Sequence, residues 1–338
     1  MSSANIVKKF NRDLRFDNLR ALAVVCVIVA HLIESLHFDP AFGFFRHCLF
    51  VFMIPLLFFI SGYFSKDSPD GLMKAVKNIL VPYIIFDFLW IVFDFLLTGS
   101  LPKYPFLISG WGLWFLVSLF FMRAFLPVLA KIKHIFWISV VVAVIVVLFE
   151  NHPDFLSWYR TLYFLPMFLL GFYYPEIQDK FKPKLDFDIK NRTKIFVAIA
   201  LIILIFVGGI LRVIPLPNSP PFFSSASLFL VLIALITLVF RLITVILFFY
   251  LFKNSKSLLT KVGQNSLMVY ILSFYFIFLL VHIIRHFAVL NTFITTNFVV
   301  SIVYITLATL IITYITSRDF VSENVNKLIF KVNDLIFK

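Results

Sequence analysis

Ten long apolar runs dominate the chain and leave few architectures open to it. They lie near 18–37, 46–64, 77–97, 111–130, 135–150, 158–175, 195–214, 225–252, 264–284 and 297–316. Each has about the length that a helix needs to cross a hydrocarbon core of roughly 30 Å at about 1.5 Å per residue. Hydrophobic residues make up 62% of the chain, more than a soluble core can bury. The sequence predicts an all-α, polytopic membrane protein with about ten transmembrane helices.

Basic residues alternate between the loops that join these runs. Clusters of lysine and arginine mark the N-terminal segment and every second loop. The opposite side has only Arg46, Lys103, Arg160, Arg212 and Arg285. The positive-inside rule then places both termini in the cytoplasm. The predicted organisation is a cytoplasmic segment 1–17, a membrane domain 18–316 and an amphipathic cytoplasmic tail 317–338.

The net charge of +13 follows mainly from this topology. No basic stretch has the interleaved aromatic residues or the fold signature of a nucleic-acid-binding surface, so we expect no nucleic-acid partner. The two cysteines, Cys26 and Cys48, lie inside apolar runs and have no metal-ligand spacing. The sequence therefore predicts no metal site and no disulfide framework.

Four polar residues lie deep within separate apolar runs. Counted from the nearest cytoplasmic cation, His31, Asp87, Arg241 and Ser273 are about 15–18 Å into the membrane. Ionisable groups at this depth cost several kcal/mol and usually serve a function. The alternative is structural: a hydrogen-bonded packing histidine, and a buried ion pair between Arg241 and Asp87.

Two further carboxylates fall on the faces of these residues. Glu34 follows His31 by about one helical turn, and Asp94 follows Asp87 by two. A carboxylate beside His31 orients the imidazole and raises its basicity, as in general-base pairs. The alternative for Glu34 is simple solvation at the outer interface.

The stretch from Arg20 to His31 resembles the first helix of acyltransferase family 3, in which an arginine, ten residues and a histidine mark the acyl-transfer centre. Further stretches match family motifs in the expected order, from residue 15 to about 275. The resemblance is closest to sugar O-acetylases similar to fucose 4-O-acetylase. The matching stretches are FMIPLLFFISGYF (52–64), KAVKNILVPY (74–83), LWFLVSLFFMR (113–123), LYFLPMFLLGFYY (162–174) and VGQNSLMVYILS (262–273).

The resemblance implies an O-acyltransferase of the bacterial inner membrane. Its expected donor is cytoplasmic acyl-CoA, with acetyl-CoA first, and its expected acceptor is a hydroxyl of a cell-surface or lipid-linked glycan. Arg20, Lys74 and Lys77 would neutralise the CoA phosphates. His31 would act as general base or as a transient acyl carrier.

The sequence departs from the family pattern at three places, the first of which is Ala21, where many members have glycine. Lys74 and Lys77 replace a more usual arginine pair, which keeps the charge but loses the guanidinium fork. Ser273 stands where relatives often have histidine, which leaves the proton chemistry to His31.

The predicted catalytic set is His31, Glu34 and Arg241, and the remaining predicted site residues are candidates for contacts to the substrate. Arg241 and the pair Trp111 and Trp114 are placed to contact the oxyanion or the sugar, while Asp87 and Ser273 complete the predicted substrate-binding set. For the two tryptophans the alternative is an interfacial aromatic belt.

A transporter or glycan flippase is the rival class, because charged residues at the membrane midplane also mark substrate pathways. Such proteins usually contain internal repeats with paired broken helices. The two halves of this chain show no clear repeat, and Gly208-Gly209 has no counterpart in the other half.

Overall fold

The computed structural model describes residues 12–36, 38–65, 71–101, 106–109, 112–149, 154–181, 191–213 and 225–337. These residues form helices and loops, with no strand among them. The helices are α1 (Leu14–Ser35), α2 (Pro40–Phe50), α3 (Met53–Tyr63), α4 (Gly71–Ala75), α5 (Val81–Thr98), α6 (Trp114–Leu129), α7 (Ile135–Val146), α8 (Trp158–Phe181), α9 (Asn191–Val213), α10 (Ser225–Leu251), α11 (Leu259–Gln264), α12 (Ser266–His286), α13 (Ala288–Thr296), α14 (Phe298–Thr316) and α15 (Asp319–Ile336).

Each of the ten apolar runs forms helix. Within the described residues, seven helical segments are long and apolar enough to cross a membrane. The others are the shorter apolar helices α6 and α7, and α8, which contains Pro166 and Pro175. The all-α, polytopic character is therefore confirmed, whereas ten crossings and cytoplasmic termini stay predictions. The seven segments are Leu14–Ser35, Pro40–Tyr63, Gly71–Thr98, Thr193–Leu211, Leu228–Leu251, Ser266–His286 and Phe298–Thr316.

The outer surface of the bundle is apolar. Phe196, Ile202 and Val299 are among many large apolar side chains that are more than half exposed. Asp87 and Arg241 are instead buried inside the bundle. This inverted pattern suits a hydrocarbon environment, in which polar groups find their partners within the protein.

Proline interrupts two of the predicted spans. The second run is divided into α2 and α3, because Pro55 has no N–H to donate to the carbonyl of Val51. The third contains a π-helical stretch, Val76–Leu80, which ends two residues before Pro82. A π-turn widens the helix locally, and Lys77 lies within it.

Two motif glycines bring α3 and α8 into direct backbone contact. A Cβ on Gly62 would lie 1.9 Å from the carbonyl oxygen of Phe168, and one on Gly171 would lie 1.9 Å from that of Phe59. The two helices cross at this point with no room for a side chain.

Helix α1 packs against α2, α3, α11, α12 and α14, so it runs through the middle of the bundle. In its first turn, Phe16 and Asp17 are buried. Asp17 is 1% exposed and accepts two hydrogen bonds of 2.7 Å from Arg12. Gly263 packs so closely on the Asp17 carbonyl that a Cβ would lie 1.8 Å from its oxygen. The helix cap is provided by Asp13, which accepts from the Arg15 N–H.

The C-terminal helix α15 covers most of the predicted amphipathic tail and packs against α5, α12 and α14. Its Asn333 side chain donates to the Lys77 carbonyl at 3.0 Å. Asp319 pairs with Lys261, and that contact lowers the pKa of the Asp319 carboxyl. Several large apolar side chains of α15, including Phe320 and Leu335, remain exposed.

Candidate active site

His31 and Glu34 lie side by side near the C-terminal end of α1. His31 is four residues from the last residue of the helix, or about 6 Å along its axis. Its Nδ1 lies 3.3 Å from Oε2 of Glu34, close enough for a direct electrostatic contact. The imidazole packs edge-on against Phe274 with ring centroids 5.0 Å apart. His31 also lines the cavity described below.

Arg46 of α2 completes this group by contacting the other oxygen of Glu34. Its Nη1 lies 2.8 Å from Oε1, so Glu34 bridges an arginine and a histidine from two helices. Sequence reasoning counted Arg46 only as an outer-loop cation. No motif marks it, because the pairing depends on how α2 folds back against α1.

A cavity of about 540 Å³ opens beside this group. It lies between the C-terminal end of α1 and the N-terminal parts of α6 and α8. This is the end of the bundle opposite the first turn of α1. The charged or titratable residues that line it are His31, Glu34, Arg46, Arg160 and Arg241. Its aromatic residues are Phe50, Trp114, Tyr159, Tyr163, Phe164 and Tyr270.

Arg241 reaches the cavity from the middle of α10. It lies ten residues before the end of that helix and is 3% exposed. Its guanidinium donates to the Tyr163 hydroxyl, and its Cζ lies 5.0 Å from the Tyr163 ring centroid. The ion pair with Asp87 that the sequence suggested is replaced by this contact with a neutral partner.

Trp114 also lines the cavity. Its ring stacks on Phe164 at 5.9 Å, and the Arg160 guanidinium lies 4.7 Å from it. Arg160 pairs with Asp154 at 3.2 Å. Partial burial raises the pKa of the Asp154 carboxyl, and Arg160 opposes that shift. Trp111 lies outside the described residues.

Two predicted substrate-binding residues do not line this cavity. Asp87 of α5 is 1% exposed and lies within hydrogen-bonding range of Tyr83. Ser273 is fully buried, and its hydroxyl donates to the Tyr270 carbonyl of its own helix at 2.8 Å. Depth in the membrane suggested both residues, and the family resemblance also pointed to Ser273, but neither observation determines which way a helix face points.

A second cavity, of about 620 Å³, borders the other side of Glu34. Asp94 lines it together with His282 and Arg285. Arg285 donates to the Ser35 carbonyl at the end of α1. Asp94 therefore belongs to a space that adjoins the His31 cavity and shares Glu34 with it.

The predicted cofactor-binding cations lie at the opposite end of the bundle from His31. Arg20 is 3.7 Å from Asp17 and rests over the Phe64 ring at 4.8 Å. Arg123 of α6 is a second cation near Arg20, and it is absent from the predicted site.

Lys74 and Lys77 differ in their surroundings. Lys74 of α4 is exposed. The Nζ of Lys77 lies 5.2 Å from the ring centroid of Phe337, beyond the end of α15. Helix α5 reaches Glu34 at its C-terminal end, where Asp94 and Thr98 line the second cavity. Lys74 and Lys77 precede α5, so they lie toward the opposite end of the bundle. Helix α4 also packs against α6, which carries Arg123.

The fold and the cavity together define a multi-pass membrane protein with a histidine–carboxylate pair in a polar cavity among its helices. The family model of acyltransferase family 3, described as an acyltransferase domain, matches residues 13–318. The chain belongs to this family and is an acyltransferase. Comparisons with curated proteins and with solved structures found no match.

Proposed function

We propose that the protein transfers an acyl group, acetyl in the first instance, from cytoplasmic acyl-CoA to a hydroxyl of a cell-surface or lipid-linked glycan. The observation that supports this proposal is that Arg20 and His31 lie on the same helix, α1. Arg20 lies near one end among cations, and His31 lies eleven residues further, about 16 Å along the axis, at a cavity on the other side.

His31 is the proposed general base. The acceptor hydroxyl oxygen attacks the thioester carbonyl carbon while Nε2 of His31 takes the hydroxyl proton. The C–O ester bond forms, the C–S bond breaks, and the proton passes to the departing thiolate to give free CoA. Glu34 stabilises the imidazolium that forms, and Arg46 holds Glu34 in place.

Arg20, Lys74 and Lys77 are the proposed seat of the CoA phosphates. Cations at a hydrated membrane face suit a phosphorylated donor, and Phe64 beneath Arg20 limits where its guanidinium can point. The pantetheine arm then lies along α1 toward His31. We place the protein in the bacterial inner membrane, with both termini in the cytoplasm. Within its family, we propose that it is most similar to the sugar O-acetylases that resemble fucose 4-O-acetylase.

The test is His31→Ala in a deletion strain, with acylation of surface glycans measured by mass spectrometry. We expect acylation to disappear while thermal stability in detergent and acyl-CoA binding stay near those of the wild type. His286→Ala, which removes an exposed histidine of α12, serves as the matched control.

Two results separate the possible outcomes. Near-normal acylation by His31→Ala contradicts the proposal. A radiolabelled acyl group that remains on wild-type protein in the absence of acceptor, but not on His31→Ala, makes His31 the acyl carrier instead of the base.

A further inference from the structure

Among the described residues, the His31 cavity contains one arginine whose positive charge no carboxylate balances. Arg46 is paired with Glu34 at 2.8 Å, and Arg160 is paired with Asp154 at 3.2 Å. Each of these arginines therefore has its counter-charge. Arg241 is the third arginine that lines the cavity.

Among the described residues, no carboxylate lies within ion-pair distance of Arg241. Its contacts are the neutral hydroxyl and ring of Tyr163 and the ring of Phe164, whose centroid is 5.8 Å from Cζ. Burial of a guanidinium with only 3% exposure is costly when no anion accompanies it. The thioester acyl group is neutral, so the donor does not supply that anion at this end of α1.

Aromatic rings flank Arg241 in a way that suits a sugar ring. Tyr159 and Tyr163 lie nearly parallel, with 6° between their planes. Trp114 and Phe164 form a second stack with 26° between theirs. Flat aromatic faces pack well against the C–H face of a pyranose, while hydroxyl and guanidinium groups at the edges bind its polar substituents.

We infer that the acceptor is an acidic saccharide, in which a carboxylate or phosphate group pairs with Arg241 while the sugar ring lies among these aromatic side chains. This inference rests on the proposed function and names the substrate class of the same cavity. It assigns Arg241 to recognition of the acceptor in the ground state rather than to the oxyanion of the transition state.

Chemical composition of the native acceptor is the first test. The glycan repeat that loses its acyl group in the His31→Ala strain is isolated and analysed by mass spectrometry. We expect it to contain a uronic or other acidic sugar, or a phosphate. A neutral repeat overturns the inference but leaves the proposed function intact, whereas a strain in which no glycan loses an acyl group refutes both.

The kinetics of Arg241→Gln form the second test. The purified glycan is used as acceptor in two forms: the native form, and a neutral form in which its carboxyl groups are reduced or its phosphates removed. For the native glycan we expect KM to rise by about tenfold or more, with KM for acyl-CoA unchanged. The wild-type preference for the native form should disappear. Arg241→Lys should retain part of this preference, and Arg318→Gln, a control at an exposed arginine after α14, should retain it fully.

Three results oppose this assignment. An equal loss of kcat on both forms of the glycan makes Arg241 an oxyanion donor. If Arg241→Gln differs from the wild type in KM only in phosphatidylglycerol vesicles, and not in phosphatidylcholine vesicles, the anion that pairs with Arg241 is a lipid headgroup. A wild type without preference for the native glycan excludes recognition of the acid. If Arg241→Gln fails to fold, the composition of the acceptor still decides the matter.

Discussion

Replacement of Glu34 by glutamine tests the proposed chemistry most directly. The substitution keeps the shape of the side chain and removes its charge. In the wild type, the carboxylate lies 3.3 Å from Nδ1 of His31 and 2.8 Å from Arg46. When His31 takes the acceptor proton, the resulting imidazolium is stabilised by this carboxylate. Since glutamine offers only a dipole, the transition state should lose more than the ground state does.

The size of the effect follows from the distance and from the exposure of Glu34. Two unit charges 3.3 Å apart interact by about 1.3 kcal/mol in bulk water and by about 5 kcal/mol at an effective dielectric constant of 20. The Glu34 side chain is 41% exposed, so solvent screening favours the lower part of that range. We take about 1.3–2.5 kcal/mol, which corresponds to a loss of about 10- to 70-fold in kcat.

The assay measures transfer of radiolabelled acetyl from acetyl-CoA to endogenous glycan in membranes that contain equal amounts of each variant. Initial rates over a range of acetyl-CoA concentrations give kcat and KM separately. We expect Glu34→Gln to lower kcat with little change in KM for acetyl-CoA. Glu323→Gln, the same substitution at an exposed position of α15, is the control and should match the wild type.

One result would refute this reasoning, and another would show that the variant is not a clean test of it. If Glu34→Gln keeps more than half of the wild-type kcat, the carboxylate contributes no electrostatic stabilisation to the reaction. If kcat falls together with thermal stability in detergent, the substitution has disturbed the packing of α1 and α2, and the loss says nothing about proton transfer.

Three other predictions address packing, donor binding and topology. Gly171→Ala should destabilise the protein by about 1–3 kcal/mol or prevent folding, because the neighbouring backbone cannot move aside. Gly43→Ala is the control: the added Cβ would have nothing within 4 Å, so the melting temperature in detergent should rise or stay the same. Equal melting temperatures for the two variants would contradict the close crossing. Lys74→Ala combined with Lys77→Ala should raise KM for acyl-CoA by about tenfold at unchanged thermal stability; an unchanged KM would make these lysines topology signals only. A reporter that works only in the cytoplasm should be active when it is fused to the C-terminus. Activity of a reporter that works only outside the cytoplasm would overturn the proposed orientation.

Much of the architecture follows from local properties of the sequence. The length of an apolar run and the spacing of residues on one helix do not depend on neighbouring helices. The run lengths were therefore sufficient to predict a helical membrane protein. The helical repeat likewise placed Glu34 beside His31, and the structure confirms that contact at 3.3 Å.

The family motifs were also visible in the sequence, but the physical role of their glycines was not. Gly62 and Gly171 are far apart along the chain and lie in different motifs. Only their meeting at the crossing of α3 and α8 explains why neither position has room for a side chain.

What the tertiary structure alone decided is which polar residues share a cavity. Helix α10 is apolar on nearly every side, so its sequence contains little information about which face points inward. Its packing turns Arg241 toward Tyr163 instead of Asp87, while Ser273 bonds to its own helix. The return of α2 toward α1 brings Arg46 to Glu34. Depth in the membrane is a one-dimensional quantity that the sequence supplies, whereas helix rotation and helix neighbours arise from packing between segments distant in the chain.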